Sequence, residues 1–276
     1  MTVSIVGCGW LGLPLAEYLI DQNIKVKGST TTPAKLKLLE AKGIQPFLLD
    51  LNSISSDKSK QVEDKNISEL FTTDILYINI PPNRRNPNIL LDYPAWISFL
   101  AKKCEAFKIK KVIFVSSTGV YPSLNNIVTE ETTPEPQTNS QKAIVLAEQM
   151  LLGNINFKTT ILRAAGLVGN SRNPGKWLAG KKNIEGGNTP VNLVHLEDCI
   201  GISYAVIRND IFGEIFNLCA DKHPTKEHFY SLQTRKNSLD IPTFLNESSA
   251  NFKIVSNKKS KSVLKYTYKR PEPMNF

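Results

Sequence analysis

Gly7, Gly9 and Gly12, in the run Val6-Gly7-Cys8-Gly9-Trp10-Leu11-Gly12, have the type and spacing of a turn that holds phosphates. Such a turn works because a strand hands over to a helix whose first N–H groups and positive end face an anion. Gly7 permits the tight turn. Gly9 lets the backbone approach a pyrophosphate with no Cβ in the way, and Gly12 lets the helix pack closely on the strand. Trp10 and Leu11 complete the loop. Spacing alone is weak evidence, but the context makes it specific. Val3-Ser4-Ile5-Val6 reads as a buried strand, Leu15, Leu19 and Ile20 follow at helical spacing, and Ile24-Lys25-Val26 after Asn23 reads as a second strand. The expected ligand is a dinucleotide.

The residues beyond the second strand bear on which one. Turns that select NAD carry an acid there to grip the ribose 2′-OH. In Lys27-Gly28-Ser29-Thr30-Thr31-Thr32 no acid occurs. The hydroxyls of Ser29, Thr30 and Thr31 can hydrogen-bond a 2′-phosphate, and Lys27, Lys35 and Lys37 are close in sequence, so NADP is expected, with NAD the alternative. The same loop also reads as a helix start, with Thr32 as N-cap and Pro33 at N1. Other strand ends supply further cofactor candidates: Asp50-Leu51 after a third strand, Ile80-Pro81-Pro82 after a fourth, and Ser116 near the end of a fifth. Arg84, Arg172 and Lys176 are candidates to meet an anionic substrate group.

Positioning these residues requires a regular alternation of elements. Strands are expected at 45–51, 73–80, 111–118 and 159–163, with helices through Trp96, Leu100 and Cys104 and through Ile144, Leu146, Ala147, Met150 and Leu151. Strands apolar on both faces alternating with helices mean a parallel sheet covered on both sides. The fold class is therefore α/β, a Rossmann doubly wound parallel sheet. Beyond residue 163 the rhythm becomes irregular, with strands at 192–196 and 214–218 and helices at 197–208 and 225–236. Residues 1–163 read mainly as the nucleotide-binding domain, and 164–276 as a small C-terminal substrate lobe interleaved with the last sheet elements in one continuous unit.

Bulk properties exclude several classes. The 276 residues are 41% hydrophobic, without an apolar run long enough for a membrane span. The apolar start lacks a basic n-region, so it reads as the nucleotide strand rather than a secretory leader. Lys and Arg outnumber Asp and Glu by 34 to 25, a net charge of +9 that suits phosphorylated ligands. No nucleic-acid motif accompanies that charge. Cys8, Cys104, Cys199 and Cys219 are far apart without ligand or redox spacing, and read as reduced, mostly buried thiols of a cytoplasmic protein. No metal is expected. The partner is a small-molecule substrate, and oligomeric state is not legible.

Taken in order, these landmarks resemble the extended and atypical short-chain dehydrogenase/reductase superfamily, of the NAD-dependent epimerase/dehydratase type. The likeness rests on the glycine turn, Asp50-Leu51, Val115-Ser116-Ser117-Thr118-Gly119-Val120-Tyr121, Ile161-Leu162-Arg163, Asn192-Leu193-Val194-His195-Leu196-Glu197-Asp198 and Ile215-Phe216-Asn217-Leu218. Gly9-Trp10-Leu11-Gly12, Leu162-Arg163-Ala164-Ala165-Gly166-Leu167-Val168-Gly169 and Arg172-Asn173-Pro174-Gly175-Lys176-Trp177 are similar to its YeeZ-like branch. The resemblance implies chemistry by a Ser, a Tyr acid/base and a Lys four residues after the Tyr. Ser117 falls at the serine position. With Pro136 and Glu148 as anchors, Ser140 stands where the Tyr is expected and Ile144 where the Lys is expected. Lys142 is two residues early, about 200° around a helix axis. The resemblance thus implies an oxidoreductase or epimerase/dehydratase-type enzyme with a rearranged acid/base set, for which Ser117, Tyr121, Lys142 and His195 are candidates. The alternative is a dinucleotide-binding sensor or regulator.

Overall fold

The computed structural model describes residues 1–54, 65–83, 85–245 and 250–276. In the N-terminal half β1 (Thr2–Val6), α1 (Gly12–Asp21), β2 (Lys25–Thr30), α2 (Leu36–Ala41), β3 (Gln45–Leu48), α3 (Lys65–Leu70), β4 (Ile75–Ile78), α4 (Ile89–Ala106) and β5 (Lys111–Ser117) alternate. After β6 (Asn126–Val128) come α5 (Asn139–Leu152), β7 (Lys158–Ala164), β8 (Gly166–Val168), α6 (Gly175–Leu178), β9 (Leu193–His195) and α7 (Leu196–Arg208). The chain then forms β10 (Ile215–Leu218), α8 (Lys226–Lys236), β11 (Lys253–Val255) and α9 (Lys258–Leu264).

Seven strands form one parallel sheet in the order β10-β7-β5-β4-β1-β2-β3. Strand order reverses between β1 and β4, the switch point at which open α/β sheets bind ligands beyond the carboxyl ends of their strands. Val3 pairs with Val26 on one side and Ile75 on the other. Val3, Ile5, Leu76, Ile78, Val112 and Phe114 are fully buried, because helices cover both faces and leave no polar side to the central strands.

Two compact units divide the chain. The first comprises Met1–Val120, Pro136–Leu162 and Val206–Ile215, and the second Tyr121–Glu135, Arg163–Ala205 and Phe216–Phe276. The second unit carries two small parallel pairs, β11 with β6 and β8 with β9. Val168, Val191, Leu193 and Phe229 form a core there, with Trp177, Tyr230, Met274 and Phe276 packed against it.

Asp198 ties the second unit together. Fully buried on α7, its carboxylate accepts from the Tyr266 hydroxyl at 2.9 Å, Lys269 N–H at 2.7 Å and Arg270 N–H at 3.0 Å. Tyr266 reaches it because Gly201, one turn along α7, leaves room for the phenol: a Cβ there would sit 2.7 Å from a ring carbon. Asp198→Ala leaves three donors without this acceptor, and we expect it to lower unfolding stability by about 3 kcal/mol in urea. A loss below about 0.5 kcal/mol would contradict that account.

One local expectation is corrected. Thr32 is extended but its side chain caps nothing, and residues 33–35 form a 3-10 turn before α2. The Thr30 hydroxyl instead accepts from Thr32 N–H at 3.2 Å, which turns the chain before the helix begins.

Candidate functional site

The glycine turn lies at the carboxyl end of β1, in the first unit. Gly7 has φ +102°, a conformation that favours glycine, and a Cβ on it would come within 2.5 Å of the Asn79 carbonyl oxygen. Gly12 touches the other side of the turn: its Cβ would lie 2.2 Å from Gly7 O. At Gly9 the opposite holds. It is exposed, and nothing lies within 4 Å of the place a Cβ would take. Close packing at Gly7 and Gly12 and open space at Gly9 leave a shelf beside the start of α1. No side chain caps that helix end; Leu13 N–H is bonded to Gly9 O at 3.0 Å and Pro14 has no N–H, so Gly12 N–H and the positive end of the helix are placed to meet an anion. Leu11 is buried and Trp10 half-buried beside it.

Several internal hydrogen bonds set the shape of the turn. Gly7 N–H donates to Ser29 Oγ at 3.1 Å, Cys8 N–H to Ser29 O at 2.8 Å, and Gly9 N–H to Gly7 O at 2.9 Å. Asn79 Nδ2 donates to the same Gly7 oxygen at 3.1 Å. Gly28 completes the packing, since a Cβ there would be 2.5 Å from Cys8 Sγ. Asn79 and Gly28 were not singled out in the sequence. A lone Asn after an apolar strand carries no motif, and Gly28 gains its meaning only from the side chains of Cys8 in the turn and Ile44.

The other cofactor candidates have varied surroundings. Asp50 is exposed and accepts from Asn52 N–H and Nδ2, and Leu51 beside it is buried. Ile80 is half-buried and its carbonyl accepts from Tyr93 OH at 2.7 Å, while Pro81 is exposed and Pro82 half-buried. Ser116 is buried and donates to Glu148 of α5. Arg84 lies outside the described residues.

Of the catalytic candidates, Ser117 and Lys142 lie in the first unit. Ser117 Oγ accepts from Gly119 N–H at 3.0 Å in the turn that follows β5. Next to this turn stands the first turn of α5, where Thr138 and Gln141 form a reciprocal capping box and Gln141 Nε2 would be 3.6 Å from a Cβ on Gly119. Ala143, Ile144, Ala147 and Glu148 make the buried face of α5, Ser140 is half-buried and Lys142 is exposed.

Tyr121 and His195 lie in the second unit, within different networks. The buried Tyr121 hydroxyl accepts from Arg163 Nη1 and donates to Asn217 Oδ1, both at 2.8 Å. The Arg163 guanidinium carbon stands 4.9 Å from the Tyr121 ring centroid, and Asn217 N–H donates to Glu130. Burial raises the Tyr121 pKa against the lowering pull of Arg163. The phenolic proton is already committed within this internal network, although Asn217 Nδ2 is buried there without a hydrogen-bond partner among the described residues. His195 Nδ1 accepts from Glu197 N–H at 3.3 Å, which leaves Nε2 as the protonated nitrogen of the neutral ring. The ring packs 5.4 Å from Phe276, and Nε2 would be 2.9 Å from a Cβ on Gly169. Arg172 and Lys176 are both exposed, and the Arg172 backbone bridges to Gly169.

Burial lowers the His195 pKa, with Arg270 adding to the effect and Glu197 and Asp198 opposing it. The unfolded chain then binds more protons than the native one below about pH 6.5, so this contribution to stability is present above that pH and lost as pH falls through it. The His195 Cε1 proton should titrate below pH 6.5 by NMR, and His195→Gln should flatten the acid limb of the stability curve. A midpoint above 6.5 would reverse the sign.

All four cysteines are free and buried. Burial pushes Cys8, Cys104 and Cys219 up to about 12 and raises Cys199 as well. We expect a thiol reagent at pH 8 to label none of them in the native protein and all four in denaturant, since the thiolate is the reactive form. Rapid native labelling of any one would contradict this.

Among the described residues no group of three or more His, Cys, Asp or Glu could hold a metal, and no helix is long and apolar enough to cross a membrane. A cavity of about 470 Å³ opens among Thr2, Lys25 and Gln45, at the starts of β1, β2 and β3. That is the wrong end of the sheet for the glycine turn.

No protein-family model matches the chain. The chain is 34% identical over 273 residues to Protein YeeZ of Escherichia coli K12, covering 99% of this chain and 97% of that one. MoeE5, solved in complex with UDP-glucose and NAD, superposes with TM-score 0.79 at 15% identity, over 98% of this chain and 94% of that one. UDP-glucuronic acid 4-epimerase from Bacillus cereus, in complex with NAD, superposes with TM-score 0.78 at 18% identity, over 100% and 95%.

These neighbours and the local geometry correct the expectation of NADP. Both neighbours are complexed with NAD. Two of the three hydroxyls invoked for a 2′-phosphate serve the fold: Ser29 and Thr30 are buried and accept from Gly7 and Thr32 N–H, while Thr31 is exposed. Lys27 donates to the carbonyls of Glu69 and Thr72 at 2.7 and 2.9 Å, away from any phosphate at the turn. With its parallel sheet, its glycine turn at the switch point and its identity to Protein YeeZ across nearly the whole of both chains, this chain belongs to the YeeZ family, a Rossmann-fold NAD(P)-binding group related to the short-chain dehydrogenase/reductase and NAD-dependent epimerase/dehydratase superfamily.

Proposed function

We propose that this chain is an NAD-dependent enzyme of the oxidoreductase or epimerase/dehydratase type, acting on a small molecule with a hydroxyl or carbonyl group. The observation that carries the reading is the open shelf at Gly9 beside the uncapped start of α1. The pyrophosphate fits there, held by backbone N–H groups. Bound NAD supplies a hydride acceptor for the carbon that bears the hydroxyl. Ser117 is the residue assigned to orient the substrate oxygen. Its Oγ already accepts from Gly119, which leaves its own proton to donate. Within the second unit, Arg172 and Lys176 are candidates to meet an anionic group and His195 is a candidate donor from Nε2. Tyr121 is assigned a supporting role, because its hydroxyl is spent on Arg163 and Asn217.

Fluorescence titration with NADH tests the cofactor assignment, with saturable binding expected. Incubation with NAD and a panel of UDP-sugars and simple alcohols tests the chemistry by absorbance of NADH or by product NMR. A second reading, an NAD-binding regulator without turnover, is favoured by Ser140 and Ile144 at the positions expected for the Tyr and Lys. Binding without product from any panel member after prolonged incubation would select it.

A further inference from the structure

We infer that Ser29 and Asn79 form a two-sided clamp on Gly7 that sets the glycine turn in its NAD-binding shape before the cofactor arrives. This rests on the NAD reading above. Gly7 belongs to two peptide groups, and each is held by a different side chain from a different strand. Its N–H donates to Ser29 Oγ, near the end of β2, at 3.1 Å. Its carbonyl accepts from Asn79 Nδ2, just past the end of β4, at 3.1 Å. β2 and β4 flank β1 on its two sides.

The clamp answers a specific need. Glycine at φ +102° has more backbone freedom to lose than any other residue, and nothing covalent holds it there. Fixing both peptide groups removes that freedom in the free protein, so less ordering is left for binding to offset. The backbone shares the work: Cys8 N–H meets Ser29 O, and Gly9 N–H closes on the same Gly7 oxygen that Asn79 holds. With those three N–H groups turned inward, Leu13 N–H on Gly9 O and no N–H at Pro14, the shelf faces the pyrophosphate with Gly12 N–H and the positive end of α1. Ser29 is almost completely buried and Asn79 half-buried, so neither bond is a loose surface contact. Both are positioning residues, acting on the cofactor through Gly7.

The test is a double-variant cycle of Ser29→Ala and Asn79→Leu, read by calorimetric titration with NAD and with ADP-ribose, and by thermal unfolding of the free protein. Each single variant should weaken both ligands by the same factor, about tenfold, since both carry the same ADP-ribosyl unit with its pyrophosphate and differ only in the nicotinamide. The double variant should be little worse than either single one, because releasing one side already frees Gly7. Asn79→Asp keeps the shape but has no N–H to donate and adds a negative charge near the pyrophosphate, so it should lose at least as much as Asn79→Leu. If Ser29→Ala unfolds too readily to titrate, the two Asn79 variants and their equal losses on both ligands carry the test.

Wild-type protein that fails to bind NAD would remove the cofactor reading and this inference with it. Wild-type binding with unchanged affinity in the folded variants, whatever their melting temperatures, would overturn the clamp alone. So would losses that multiply in the double variant, or a loss confined to NAD and absent for ADP-ribose.

Discussion

Gly9→Trp should abolish NAD binding while leaving the fold intact. The indole would fill the space that the backbone leaves for the pyrophosphate, where nothing now lies within 4 Å of a Cβ. Loss of more than about 100-fold, or about 2.7 kcal/mol, is expected in fluorescence titration. Urea stability should stay within about 0.5 kcal/mol of wild type, since Gly9 is exposed and outside the packed contacts of the turn. Gly12→Ala makes the contrast. Its Cβ would lie 2.2 Å from Gly7 O, so it should lose stability and binding together. Retained NAD affinity in Gly9→Trp would mean that the pyrophosphate does not lie on this shelf.

Turnover should be the second large effect. On the proposal that Ser140 and Ile144 take the places of an acid/base Tyr and its Lys, the native chain is expected to oxidise or epimerise model substrates about 10²–10⁴-fold more slowly than enzymes that carry the pair. Ser140→Tyr with Ile144→Lys should recover part of that factor and raise NAD affinity through a bond from the lysine to the nicotinamide ribose. Ile144 is buried on α5, so the lysine must run its stem along apolar neighbours to bring the ammonium to a polar partner. The double variant should therefore be less stable without NAD and regain part of the loss with it. The outcome that would sink the expectation is fast native turnover that survives Ser117→Ala and is unaffected by the double substitution. Proton transfer would then run through other residues, with the helix register not deciding it.

The sequence by itself determined the parts whose physics is local. The glycine turn was legible because strand, turn and helix are contiguous and the glycine spacing is itself the signal, although the atom that forbids a Cβ at Gly7 is the distant Asn79 carbonyl oxygen. The parallel sheet was legible because runs such as Ile75-Leu76-Tyr77-Ile78, apolar on both faces, belong only in a sheet covered on both sides. A strand was expected at 192–196, where β9 lies, but β6, β8 and β11 and their pairings were not, because three-residue strands carry little periodicity and β6 meets a partner more than a hundred residues away.

Only the tertiary structure decided where side chains spend their hydrogen bonds. Ser29 and Thr30 read as phosphate ligands in the chain, yet their hydroxyls are turned to Gly7 and Thr32, and Lys27 to the carbonyls at Glu69 and Thr72. Tyr121 read as a candidate acid, yet its proton is held by Asn217, nearly a hundred residues on. Asn79 had no motif at all until β4 placed it against Gly7. A residue's type limits what it can donate or accept, but which partner it meets follows from strand order and register, and those are set by the burial of the whole sheet rather than by any neighbouring stretch of sequence.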